Sequence, residues 1–375
     1  MQLLPLRTVY ECDYGSGTSY VKLAFQHPTL TLDRTYIQHR FGITNRTPFK
    51  EITRVPFDSV ISPPYRELIK TSRSVSEDSL SLFSRIKDTL KTIIFENWIP
   101  GGVHAMLHSS GYDSRCVSWL IRELTEEHGK DWLGTIVFCC SRWEAESFHS
   151  IMTYEGWGAH QVSSARRLCR PANYYAPSLL NFRDAWQWSD GASPIAMNLY
   201  WYLITDAIED GLLPSDQPIQ TFTGQRGNDV LGTCAFPNGL QVFSKSVSAL
   251  YNSILGQRPT YGDVIITPYA YVDLAKVVCE SSVTMGKKLR PQFCQYLDPT
   301  LVAFTNMAAD GDRYRPIAQW ILAQIQHDYR SSWYGQKVQP LARPHHRTTE
   351  FQDFWYYWTL ASFCEELRRR GIEIQ

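Results

Sequence analysis

The sequence predicts an α/β fold in which a parallel sheet is flanked by helices. Residues 103–108 and 135–140 have the length and apolar composition of buried strands, and the stretch between them has the apolar period of a helix. A strand, a helix and a second strand in this order form a βαβ unit, which implies parallel pairing. A third buried strand is predicted at 219–223, after a long helical stretch around 193–210, and most of 245–375 has a helical pattern.

Two helices are predicted beside the first two strands. In residues 76–98, apolar residues recur at three- and four-residue spacings after the capping run Ser76-Glu77-Asp78. Residues 144–154 follow the second strand and predict another helix. Both helices precede or follow a strand directly, which is the arrangement expected when helices cover a parallel sheet.

The N-terminal part differs from the rest in pattern. Short alternating segments at 19–25 and 30–32 are separated by Gly, Pro and Asp, which is typical of strands joined by turns. We therefore expect a small β-rich region over 1–65. The larger region, 66–375, is expected to contain the parallel sheet and a helical C-terminal extension.

Composition and charge narrow the classes of function. Lysine plus arginine and aspartate plus glutamate each number 37, so the net charge is zero and no general attraction to nucleic acid is expected. No stretch approaches the roughly 20 apolar residues of a membrane span, and no signal peptide is expected. The nine cysteines lack the C-x-x-C spacing of zinc or redox sites, which indicates reduced cysteines in a cytoplasmic protein.

Residues 109–114, here called the serine loop, connect the first predicted strand to its helix. Backbone N–H groups and the helix dipole favour an anion at such a position. Ser109, Ser110 and Ser114 offer hydroxyl donors, and Gly111 permits a close approach of the backbone. Asp113 would repel a phosphate unless a cation such as Mg²⁺ lay between them. An ordinary Ser/Asp helix cap explains the same local pattern, so both interpretations remain open at this level.

A resemblance to a known family favours the phosphate site. The serine loop, S-S-G-Y-D-S, resembles the S-G-G-x-D-S signature of PP-loop ATP pyrophosphatases, with Ser110 in place of the first glycine. Four further segments resemble, in order, the asparagine synthetases of that superfamily. They are residues 47–56 (T-P-F-x-x-I-x-x-V-P), 223–232 (S-G-E-G-A-D-E-L-F-G), 267–273 (R-x-P-F-L-D) and 288–293 (K-x-x-L-R-x-x-F).

The resemblance implies a PP-loop fold of the adenine nucleotide alpha hydrolase-like type, with ATP and Mg²⁺ as cofactors. The residues implied in binding phosphate are Ser109, Ser110, Gly111, Asp113, Ser114 and Gly224. The adenine is expected against the backbone of Phe138, Cys139 and Cys140, at the end of the second strand. The implied metal ligands are Asp113 with Asn228 or Asp229. The implied catalytic residues are Gln225, Arg226 and Lys288, with Arg290 as a further candidate cation.

The chain also departs from that family. Residue 2 is Gln, whereas glutamine-dependent members carry a catalytic Cys there, and only about 65 residues precede the synthetase-like part. We therefore expect no glutamine hydrolysis, as in β-lactam synthetases and lasso-peptide cyclases. Asn228 stands where the family has a metal-binding Asp, and Gln225 stands where it has a Glu. The family's later lysine is missing from residues 304–307.

These observations predict an AMP-forming amide ligase. A small-molecule or peptide carboxylate would attack ATP to form an acyl-adenylate and pyrophosphate, and an amine would then displace AMP. Two alternatives stay open: a nucleotide-binding relative without turnover, and a PP-loop enzyme that modifies nucleic-acid bases. The neutral charge and the lack of a zinc or paired-cysteine motif weigh against the latter. For Arg115, a phosphate ligand and an exposed helix residue are both open interpretations.

Overall fold

The computed structural model describes residues 10–17, 20–39, 46–55, 74–141, 145–165, 203–204, 206–225, 227–233, 265–304, 360 and 362–375. The strands are β1 (Tyr10–Cys12), β2 (Gly15–Gly17), β3 (Thr29–Leu30), β4 (Thr53–Arg54), β5 (Val103–Leu107), β6 (Thr135–Ser141), β7 (Val162–Ala165), β8 (Gln220–Thr223), β9 (Ile265–Ile266) and β10 (Glu373–Ile374). The helices are α1 (Tyr20–Ala24), α2 (Arg34–His39), α3 (Ser79–Asn97), α4 (Tyr112–His128), α5 (Lys130–Leu133), α6 (Ala145–Tyr154), α7 (Gly227–Thr233), α8 (Val272–Glu280) and α9 (Leu289–Leu297).

The main sheet has five parallel strands in the order β7-β6-β5-β8-β9. This confirms the predicted α/β class with a parallel sheet flanked by helices. The three predicted strands correspond to β5, β6 and β8, with ends displaced by one residue. The two edge strands were not predicted, because two of the four residues of β7 are serines and β9 has only two residues.

The strand order reverses at the centre of this sheet. From β5 the chain proceeds outward through β6 to β7, and later strands continue on the other side of β5 as β8 and β9. In open α/β sheets, ligands bind in the crevice outside the carboxyl ends of the strands at such a reversal. The segments that follow β5 and β8 are the serine loop and residues 224–229, here called the glycine loop.

Helix α3 shows how the sequence pattern produces the core. The Asp78 carboxylate accepts a hydrogen bond of 2.8 Å from the backbone N–H of Ser81 and so caps the first turn. Leu80 and Phe95 are exposed, whereas the other apolar residues at helical spacing are buried and join one continuous core with α4, α8 and α9. The predicted helix over 76–98 is therefore confirmed, and its core-facing positions are Leu82, Phe83, Ile86, Leu90, Ile93 and Ile94.

One predicted strand is wrong. Residues 20–24 of the segment predicted as a strand form the short helix α1. A strand would place Lys22 on the same face as Tyr20 and Ala24, whereas the helix buries Tyr20, Val21, Leu23 and Ala24 and exposes Lys22. Packing against the rest of the molecule therefore outweighs the local alternating pattern.

The N-terminal residues also contact the end of the chain. Strand β10 pairs in parallel with β3, and Phe363 packs edge-on against Tyr20 and Phe49. A second small sheet has the order β2-β1-β4. The boundary predicted near residue 65 stays a prediction, since residues 56–73 lie outside the described ranges.

Two predictions from composition can be compared with the structure. All seven cysteines within the described residues carry free thiols, and six of them are buried. No helix among the described residues is long and apolar enough to cross a membrane.

Candidate functional site

The serine loop follows β5, and its last three residues form the first turn of α4. Gly111 caps this helix in an extended conformation. Ser110 has a φ of +49°, in the left-handed region that glycine adopts most easily. This is the position at which the resembled signature carries its first glycine. The loop therefore has a backbone conformation suited to glycine although the residue is serine. The Ser110 side chain is buried, and its Oγ has no hydrogen-bond partner within the described residues.

Several hydrogen bonds fix the conformation of the serine loop. The Ser110 N–H donates to His108 Nδ1 over 3.1 Å, and Arg115 Nε donates to the Ser110 carbonyl over 2.8 Å. Ser114 Oγ donates to the Gly111 carbonyl over 3.0 Å and lies 3.4 Å from Ser109 Oγ. The hydroxyl groups of Ser109 and Ser114 are therefore neighbours at the first turn of α4, whereas that of Ser110 is buried.

The glycine loop packs directly against the serine loop. A Cβ atom on Gly224 would lie 2.6 Å from both the N and the Cα atoms of Ser114, closer than such atoms approach. A Cβ atom on Gly227 would overlap the Asp113 carboxyl group. Gly224 therefore cannot carry a side chain unless the backbone shifts, and a side chain at position 227 would displace the Asp113 carboxyl group. Gln225 is half-buried in this loop, and its N–H donates to Thr223 Oγ1 over 3.3 Å.

The predicted metal ligands converge on an arginine. Arg290, in the first turn of α9, donates from Nε to Asp113 Oδ1 over 2.8 Å and from Nη2 to Asp113 Oδ2 over 2.5 Å. Its Nη1 donates to Asn228 Oδ1 over 3.0 Å. Among the residues that the structure describes, no group of three or more His, Cys, Asp or Glu side chains could hold a metal ion.

Lys288, Arg226 and Asp229 are the other residues predicted for catalysis or metal binding. Lys288 ends the 3-10 helix Gly286–Lys288, two residues before Arg290, and its side chain is exposed. Arg226 and the Asp229 side chain lie outside the described parts of the chain. Their predicted roles stay predictions.

The structure places the end of strand β6 one residue later than predicted, and the adenine site expected beside Phe138, Cys139 and Cys140 stays a prediction. Strand β6 was predicted to end at Cys140 but continues to Ser141, and both of its edges are paired. Phe138 and Cys139 are fully buried inside the ladder, and the Cys139 carbonyl accepts a hydrogen bond of 2.8 Å from the His108 N–H. Beside β5 the ladder ends at Cys139, and beside β7 it continues to Ser141.

A buried polar chain supports the serine loop from behind. Burial and the charge of Arg115 lower the pKa of His108 to about 3, so its ring is neutral. Since Nδ1 accepts from Ser110, the ring proton lies on Nε2, which faces Ser118 Oγ at 3.3 Å. Ser118 Oγ donates to Glu155 Oε1 over 2.8 Å. Burial raises the pKa of Glu155 to about 8.

The structural role of Arg115 was not predicted from the sequence. The residue is completely buried, so it is not an exposed helix residue, and it contacts more than the serine loop. Its Nη1 donates to the carbonyls of Leu301 over 2.6 Å and Phe304 over 3.1 Å, while its Nε holds Ser110. It thus ties the chain after α9 to the serine loop. The spacing of 186 residues between Arg115 and Leu301 offers no local signal for this contact.

The conformation of Ser110 predicts an unusual response to mutation. We expect Ser110→Gly to stabilise the protein by about 1 kcal/mol, because glycine relieves the left-handed strain and removes a buried hydroxyl without a partner. Ser110→Ala, which removes only the hydroxyl, should stabilise less. Chemical unfolding measures both, and Ser150→Gly on the exposed face of α6 serves as the control, with an expected loss of about 0.5 kcal/mol. A glycine variant less stable than the alanine variant would contradict this interpretation.

Close packing of the two loops gives a second prediction. Gly224→Ala should lower the free energy of unfolding by about 1–3 kcal/mol, since the new methyl group collides with the Ser114 backbone. Gly17→Ala is the control, because the nearest atom to its new Cβ would be 3.9 Å away, and its effect should stay within about 0.5 kcal/mol. Equal effects in urea unfolding would show that the loops do not touch as described.

The buried Glu155 predicts a pH dependence of stability. Its pKa is about 8 in the folded protein and near 4.5 when unfolded, so its contribution is complete below 4.5 and is lost as the pH rises toward 8. Between these values the free energy of unfolding should fall by up to about 1.4 kcal/mol per pH unit from this group. Glu155→Gln should remove that slope. Urea unfolding from about pH 5 to about pH 8 tests it; parallel curves for the two proteins would exclude a raised pKa.

Comparison of the chain with models of known protein families gives no match, and none of the curated proteins matches it. The function proposed below therefore depends on the sequence motifs and on the geometry of the two loops.

Proposed function

We propose that the protein binds ATP at the serine and glycine loops and acts as an AMP-forming amide ligase without glutamine hydrolysis. The observation that carries this proposal is the meeting of the two motif loops at the reversal of strand order. They are about 110 residues apart in the chain, and each corresponds to a motif of the same resembled family. Their contact through Gly224 and Ser114 places both at the crevice where open α/β sheets bind ligands.

The first turn of α4 suits a phosphate group. Its backbone N–H groups have no partners within the helix, and the dipole of its 17 residues favours an anion at this end. The bonds to His108 and Arg115 hold the preceding loop in one conformation. A fixed set of donors loses little entropy when a ligand binds. Because these donors favour an anion, we assign the pyrophosphate part of ATP to this position.

The proposed reaction has two displacement steps. An oxygen of the substrate carboxylate attacks the α-phosphorus of ATP, the bond to the β-phosphate oxygen breaks, and pyrophosphate leaves. The nitrogen of an amine then attacks the acyl carbon of the acyl-adenylate, AMP leaves with the bonding electron pair, and the amine loses a proton to solvent. Gln225 cannot accept that proton, because its side chain is an amide. The donors of the serine loop stabilise the charge that develops on the leaving pyrophosphate.

The donor set described here does not fit a bound Mg²⁺ ion. Both oxygens of Asp113 and the carbonyl oxygen of Asn228 accept hydrogen bonds from Arg290. A small cation that requires near-octahedral oxygen coordination would have to compete with the Arg290 guanidinium for these oxygens. No step of the reaction is therefore assigned to a metal held by these residues.

The same arrangement favours a second candidate function, nucleotide binding without turnover. Asn228 and Gln225 replace the two acidic residues of the resembled glycine loop. Asp113, the described carboxylate of the two loops, is paired with Arg290, which already compensates its charge. Binding and cleavage of ATP must therefore be measured separately.

The proposal predicts saturable ATP binding and, with a suitable carboxylate, exchange of labelled pyrophosphate into ATP. Asp113→Ala should lower the exchange rate on the order of 100-fold, because Arg290 then loses the carboxylate that fixes its orientation at the loop. Asp131→Asn, an exposed acid in the first turn of α5, is the matched control and should leave the rate unchanged. Binding without exchange across a panel of carboxylates and amines would favour the second candidate, and absence of ATP binding would reject both.

A further inference from the structure

We propose that Arg290 is the fixed cation of this site and that it allows a triphosphate to bind without a divalent ion on Asp113. This inference rests on the proposed function, since it concerns the same two loops. It goes further by naming the group that compensates the ligand's charge and by predicting how binding depends on metal.

The geometry of Arg290 suits that role. Nε and Nη2 bind the two oxygens of Asp113 side by side, which fixes the plane of the guanidinium, and Nη1 reaches Asn228 on the glycine loop. The guanidinium therefore bridges the two loops at their contact. Such a bridge restricts the arginine to one orientation before any ligand arrives.

Two N–H groups of Arg290 remain for a ligand. A guanidinium has five N–H groups, and three of them donate to Asp113 and Asn228. The other two, one on each Nη, have no hydrogen-bond partner among the described residues. The Arg290 side chain is 24% exposed, so part of it is in contact with solvent.

The charge of Asp113 explains why a cation is needed here. A carboxylate in the first turn of α4 opposes binding of a phosphate at the same helix end. A two-point ion pair that is only 14% exposed on the Asp113 side cancels this charge within the protein. A metal ion would have to compete with Arg290 before it could compensate the charge of Asp113. Its second ligand would be the neutral amide of Asn228.

The experiment is a calorimetric titration of the full chain with ATP, performed once in excess EDTA and once in excess Mg²⁺. We expect the dissociation constants of the native protein to agree within about twofold in the two conditions. Arg290→Gln should weaken binding in EDTA by about 10- to 100-fold, because it removes a charged donor, and Mg²⁺ should restore part of the loss because Asp113 is now free to bind it. Arg85→Gln, which breaks the ion pair with Glu77 at the start of α3, is the matched control and should change neither constant.

The outcomes separate this inference from the proposed function. ATP binding by the native protein only with Mg²⁺, or unchanged binding by Arg290→Gln in EDTA, would overturn the role of Arg290 and leave the ATP site in place. No ATP binding in either condition would reject the proposed function and this inference together. If circular dichroism shows that Arg290→Gln is unfolded, Arg290→Lys replaces it. A lysine keeps the charge without the two-point geometry, so an intermediate loss in EDTA is expected.

Discussion

The contact between the serine loop and the glycine loop is the constraint on which the candidate site depends. Strands β5 and β8 are parallel neighbours, and neighbouring strands lie about 4.8 Å apart, so the segments that leave their carboxyl ends must pass close to each other. Gly224 lies so close to the Ser114 backbone that a Cβ atom would not fit there, whereas Gly227 lies against the Asp113 side chain. The pairing of β5 with β8 thus accounts for the close approach at Gly224 without reference to a ligand.

The ion pair of Asp113 with Arg290 depends in turn on contacts made far away. Helix α9 supplies Arg290, and the chain just after that helix is held by Arg115 through the carbonyls of Leu301 and Phe304. Tyr269 adds a hydrogen bond of 3.0 Å from its hydroxyl to the Asp113 carbonyl. A half-buried pair of this kind differs from a surface ion pair, because loss of one partner leaves a charge in a place that water reaches poorly.

Much of the sheet could be predicted from the sequence, and the charge arrangement of the site could not. Strands β5, β6 and β8 were predicted to within one residue, because β5 and β6 are mainly apolar segments and β8 is a threonine- and phenylalanine-containing segment that ends before Gly224. Residues 20–24 were misassigned because a five-residue alternating pattern is also compatible with a buried helix face. The partner of Asp113 is 177 residues away, so only the tertiary fold could identify it. A carboxylate considered alone suggested a metal, whereas the fold supplies a guanidinium.

Charge is distributed unevenly around the serine loop. Behind it, His108 is neutral because burial lowers its pKa, and Glu155 is largely protonated at neutral pH because burial raises its pKa. The polar chain through Ser118 therefore holds the backbone with largely neutral groups, and Arg115 is the buried charge that contacts the loop. The partly exposed ion pair lies instead where the two loops meet. An anion that approached this crevice would meet oriented N–H groups and a guanidinium, and its attraction would not be offset by charges buried beneath the loop.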